Sequence, residues 1–150
     1  MLFRSEVAWV GKVQVWESAA ADRTFTVAWS WAHRHVEGGW HRSGLGLTGV
    51  MSAPLGGWGT VHVNLGHQRD ALHHFGSTTW AVAVEHDGLG PEGRWQPMAE
   101  VFGDDRSAPW VNAALRWAWV PNRVFLDASV GRQLSGTRAR LTTVGFKFAF

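Results

Sequence analysis

Apolar and polar residues alternate along most of this chain with a period of two, and no stretch carries the roughly 3.6-residue repeat of an amphipathic helix. Read together with its Gly, Pro and Asn turn signals, the alternation predicts strands over 6–17, 24–36, 42–52, 58–67, 78–86, 95–103, 110–120, 123–132 and 139–150. Each strand has one apolar face. In 110–120 that face is Val111, Ala113, Leu115, Trp117 and Trp119, against Asn112, Ala114, Arg116 and Ala118. In 123–132 it is Val124, Leu126, Ala128 and Val130, against Phe125, Asp127, Ser129 and Gly131. A two-residue turn at Pro121 and Asn122 sets Arg116 opposite Asp127 and Trp117 opposite Leu126.

Such a chain is all-β, and its strands follow one another as an antiparallel up-and-down meander. Loops 67–77, 103–109 and 132–138 fall at one end of the meander and the turn at 121–122 at the other; 67–77 is expected to be long and polar. The face that is not apolar is made of small residues, for example Gly66 and Asn64, or Ala81, Ala83 and Glu85. A water-soluble barrel would place its large apolar groups inside. A transmembrane barrel places them against lipid and tolerates polar groups in its lumen. Lipid would then cover Phe146, Phe148 and Phe150 at the end of the last strand. Alternation alone does not fix which face is inside, because half-buried strands of a soluble sheet show the same pattern. The architecture expected is a transmembrane β-barrel of about eight strands if the chain closes alone, or the C-terminal strands of a larger barrel. Residues 1–150 then form one barrel domain, N-terminally truncated in the second case.

Composition narrows the classes. At 150 residues the chain is one domain long, and with 45% hydrophobic and 17% charged residues it is not of the disordered type. No stretch approaches the ~20 consecutive apolar residues of a membrane helix. Eleven Trp and eight Phe stand beside no Tyr, a bias toward places that are wet on one side and apolar on the other. Fourteen Lys and Arg against twelve acids leave little charge for nucleic-acid binding, and none is expected. Without cysteine there is no disulfide and no thiolate chemistry. No secretory signal is visible at the N-terminus.

The C-terminal strand, alternating and ending in Phe150, looks like the terminal signal of Gram-negative outer-membrane barrels. In order, VHVNLGHQRD, TTWAVAVEHD, MAEVFGDDRSAPW, NAALRWAWVPNRVFLDASVG and LTTVGFKFAF resemble the C-terminal half of porin-like outer-membrane proteins, those grouped as putative transporters of phenol-degradation pathways. The similarity runs from about residue 42 to residue 150. It implies a bacterial outer-membrane location, outer-membrane lipid and the barrel-insertion machinery as partners, and passive transport of small hydrophobic or aromatic solutes. Two readings of the residues stay beside it: a soluble Trp-rich β-barrel binding a small ligand, and a non-conducting structural barrel of the membrane.

Candidate residues follow from the two faces. Glu85, Glu100, Arg116, Asp127 and Lys147, on the last five strands, are assigned to the lumen. They either form a ladder of alternating sign that tunes selectivity, or pair across strands to hold the wall together. Trp117 and Trp119, with Trp95 and Trp58 beside them, are assigned to an interfacial girdle, and Phe146, Phe148 and Phe150 to the lipid face. In a soluble fold Trp29, Trp31, Trp80 and Trp117 would line a ligand cavity instead. His33 and His35 share one strand face and His41 lies across a Gly-Gly turn, a placement a three-histidine metal site would need, with Glu37 the nearest acid. The spacing matches no ligand motif, and neither metal nor other cofactor is expected. His41 and Ser43 have no supporting acid in their hairpin, and no G-x-S-x-G is present, so no catalytic residue is assigned and no enzyme is expected.

Overall fold

The computed structural model describes residues 5–20, 22–36 and 38–149. Phe150 and Glu37 lie outside the described residues. Nine strands follow in chain order: β1 (Glu6–Glu17), β2 (Thr24–Val36), β3 (Gly39–Pro54), β4 (Gly59–Asp70), β5 (Phe75–His86), β6 (Trp95–Asp104), β7 (Trp110–Val120), β8 (Val124–Gln133) and β9 (Arg140–Phe148). Each pairs antiparallel with the next, giving one sheet in the order β1 to β9, curled into a half-barrel. Among the described residues the only helical turn is the 3-10 turn Pro91–Gly93. The all-β up-and-down meander expected from the alternation is present, with nine strands and an unpaired edge at β1 and at β9.

The turns show why the strands stop where they do. Between β7 and β8, Pro121 and Asn122 stand at the centre of a turn closed by Arg123 N donating to Val120 O at 3.0 Å, with Asn122 at φ 59°. Proline at the second position and a positive φ at the third make the type II arrangement. The extra residue is absorbed by a register shift between Ala118 and Val120, and below it Arg116 faces Asp127 and Trp117 faces Leu126. The stretch 67–77, expected as a long polar loop, is mostly strand: β4 runs through Asp70 and β5 begins at Phe75. Asp70 shortens the connection, its Oδ1 accepting from Leu72 N and His73 N, both at 2.9 Å. An aspartate that caps its own turn in this way replaces the ladder bonds a longer loop would forgo.

The two faces differ in character. Rows of paired residues on the concave side include Ser30, Gly46 and Gln68, and Val50, Asn64 and Ala81. These positions are small because the curl crowds them. A Cβ on Gly66 would lie 2.5 Å from Thr48 Oγ1 and 2.9 Å from Leu47 O, and one on Gly46 2.6 Å from Ser30 Oγ. The convex side carries Leu65 (64% exposed), Phe146 (71%) and Val144 (80%). Ala81, at 8%, is the one buried apolar residue among those described, and no large side chain is fully buried. A chain of this length has no interior core here; its apolar surface is turned outward.

Candidate functional site

The strand periodicity places the five lumen candidates on the concave wall, where they separate into two groups. Glu85 and Glu100 line one recess of about 300 Å³ together with His62, Asn64 and Asn112. A second recess of about 340 Å³ shares Asn64 and Glu100 and continues to Thr79, Asp104 and Trp110, and a third of about 410 Å³ joins it through Thr48 and Gln68. Through these shared residues the recesses form one groove along the concave face.

Within the first recess a polar row crosses β3, β4 and β5. Ser52 Oγ lies 2.8 Å from His62 Nδ1, and His62 Nε2 lies 3.5 Å from Glu85 Oε1. Ser52 and His62 are direct cross-strand partners. The hydroxyl and the carboxylate thus hold the imidazole from both sides, the acid acting at a distance beyond a hydrogen bond, as an electrostatic neighbour. Asn64 and Asn112 line the same groove, and their Oδ1 atoms are buried with no hydrogen-bond partner among the described residues. Glu100, opposite Asn112 and Ala83, makes no ion pair among the described residues.

The second group is closed on itself. Arg116 Nε donates to Asp127 Oδ1 at 2.7 Å, with Nη2 reaching Oδ2 at 3.5 Å. Phe125 lies beside this pair, with Arg116 Cζ 5.9 Å and Lys147 Nζ 5.8 Å from its ring centre. Two cations against one ring tie β7, β8 and β9 together on the concave side. The alternating ladder therefore resolves into an acidic recess with His62 and a basic-acidic wall segment at Arg116.

The convex candidates form a rim. Trp95 stacks on Trp117 with ring centres 5.4 Å apart and planes 10° apart, and Trp117 on Trp119 at 6.4 Å and 26°. Phe146 and Phe148 meet edge to face at 5.4 Å. Trp58 lies against His86 instead, at 5.1 Å. Trp29, Trp31 and Trp80, the residues that would line a cavity in a soluble fold, are 47%, 45% and 36% exposed and belong to the convex rows.

The histidines do not converge. A register shift after Ala32 pairs His33 with Arg42 and His35 with Trp40, while His41 pairs with Arg34 on the opposite face. Arg34 alternates with His33 and His35 along β2, so its partner His41 faces away from both, and the three-histidine placement read from a simple Gly-Gly hairpin does not form. Among the described residues no group of three or more His, Cys, Asp or Glu could hold a metal ion. His62 and Ser52 were not singled out from the sequence. The signal for them is the short β3–β4 connection, which fixes the register once β3 is extended to Pro54.

No family model, curated protein or solved structure matches this chain.

Proposed function

We propose that this chain is wall of a porin-like outer-membrane β-barrel, its convex face against lipid and its concave groove lining a water-filled passage for small solutes. The observation that carries the reading is the inversion of the faces: large apolar side chains stand outward along every strand, while Asn64, Glu100, Arg116 and Asp127 stand inward. Water cannot stabilise such an outer face, and lipid can. Strand lengths support it. They run from 9 residues in β9 to 16 in β3, against the roughly 9 to 11 a tilted strand needs to cross a bilayer.

Curvature bears on the pore. Nine strands that sweep half a barrel imply about eighteen around the full circumference, a size that leaves an aqueous channel, whereas about eight strands would be filled by side chains. β1 and β9 run in the same direction, so antiparallel closure places an odd number of further strands between them. The acidic recess and the Arg116 segment give the passage polar walls of both signs, and the resemblance to phenol-pathway transporters suggests small aromatic solutes as cargo.

The test is refolding with and without detergent micelles, followed by comparison of boiled and unboiled samples on an SDS gel and by conductance in planar bilayers. A compact, heat-shifted form in detergent only is the expected result, with conducting steps once further strands close the barrel. A folded monomer in plain buffer rejects the membrane assignment, and a silent closed barrel rejects transport while leaving the wall intact.

A further inference from the structure

Charge is segregated on this sheet in a way the two-faced wall does not require. The acids on the strands stand on concave rows: Glu6 faces Arg34, Asp70 faces Gly44, and Glu85, Glu100, Asp104 and Asp127 border the groove or its ion pair. The convex face has no acid among the described residues. It does have arginines, and they gather at one rim. Arg132 and Arg140 are direct cross-strand partners at the β8–β9 connection, in the row of exposed Val111. Arg69, opposite exposed Leu45, and Arg42, opposite His33, lie at the same rim on β4 and β3. All four are exposed and none is in an ion pair among the described residues.

Two like charges placed directly opposite on one face of an antiparallel pair repel. Here they do so beside an apolar band and with no acid to offset them. The opposite rim, at the β7–β8 connection, carries the neutral Trp95, Trp117 and Trp119 stack on the same face. Arginines placed side by side at the edge of an apolar surface suit one kind of anion: a phosphate whose other side is attached to hydrocarbon.

We infer that the convex rim at the β8–β9 end binds the phosphate of an anionic lipid headgroup, with Arg132 and Arg140 gripping one phosphate and Arg42 and Arg69 a second around the circumference. This rests on the membrane reading above and adds to it the chemistry of the leaflet that this rim meets.

The full chain is folded into phosphatidylcholine vesicles with and without phosphatidylglycerol, and the temperature at which the compact gel band is lost is measured. Wild type should melt higher when phosphatidylglycerol is present. Arg132→Gln/Arg140→Gln should lose about half of that gain, with the phosphatidylglycerol dependence weakened about fivefold per arginine. In phosphatidylcholine alone the same variant should be no less stable than wild type, since it removes an unrelieved repulsion. Arg23→Gln/Arg123→Gln, at the other rim, should keep the gain. Inorganic phosphate over phosphatidylcholine vesicles should not reproduce it; if it does, the ligand is a free anion and the lipid assignment falls. Equal gains in wild type and Arg132→Gln/Arg140→Gln, or none in either, overturn the proposal while leaving the barrel standing. Failure to fold in any vesicle removes the barrel as well.

Discussion

The two faces of this sheet are made of the same nine strands, residue by residue in alternation, and they obey opposite rules. The convex face is apolar, bulky and open: Val144 is four-fifths exposed although nothing polar stands beside it on β9 except Thr142. The concave face is mixed and crowded, with Phe102, Trp110 and Phe125 among small and polar residues: its groove has glycines where a methyl group would strike a neighbouring backbone oxygen, and carboxamides whose oxygens have no partner among the described residues. The difference teaches where the solvent is. On the membrane reading proposed above, bulk stands on the side that has room and an apolar medium, and polarity on the side that has water.

The sharpest way to break this comparison is a pair of neighbours. Val144→Arg, on the convex face, should cost about 2 to 4 kcal/mol in bilayer unfolding, the depth-dependent cost of arginine against lipid, while Thr143→Arg on the concave face should cost less. Equal costs in chemical unfolding from vesicles would end the distinction, and the reverse order would turn the wall inside out. Next comes crowding. Gly66→Ala places a methyl 2.5 Å from Thr48 Oγ1 and should cost about 1 to 3 kcal/mol, whereas Gly57→Ala, which meets nothing within 4 Å, should be nearly neutral in the same assay.

Smaller still is the ion pair. Arg116 and Asp127 are each about a third exposed, at 31% and 32%, so Arg116→Ala should cost no more than about 1 kcal/mol, and less as salt is raised. A larger, salt-independent loss would mean a dry interior. The smallest effect is one of pH. Asp105, in the β6–β7 connection, accepts from buried Ser77 Oγ at 2.7 Å, and this bond is the main reason its carboxyl is held below the usual carboxylate range. A carboxyl lowered by folding contributes stability above its unfolded value, about pH 4, and loses it as pH falls through the lowered folded value. Asp105→Asn should therefore flatten the acid side of the melting profile without moving its neutral part.

Much of the fold was legible because alternation and turn residues agreed. β1, β2 and β7 have the bounds the periodicity predicts, and Pro121 with Asn122 fixed the pairing of Arg116 with Asp127. What could not be read were the register shifts, after Gln14, after Ala32 and near Val120. A bulge inserts one residue, and a period-two reading then assigns every later side chain to the wrong face. The three histidines failed on pairing parity instead: His41 faces Arg34, between His33 and His35 on β2. The 67–77 stretch misled for a different reason: polar composition suggested a loop, but β4 stays paired to its end with Gln68 and Asp70 on the concave face and His67 and Arg69 on the convex one, and Asp70 needed only a short turn. The lumen candidates were individually visible from their faces. Their division into an acidic recess and a paired segment was not, because it depends on which rows His62 and Phe125 occupy.

An odd number of strands is also a statement about sides. The chain enters its first strand at the β8–β9 rim and leaves its ninth at the β7–β8 rim, having crossed nine times. Set in a bilayer, it acts as a parity device: a peptide joined ahead of Ser5 and one joined after Ala149 would be read from opposite compartments, so labels at the two positions should never share access to the same impermeant reagent.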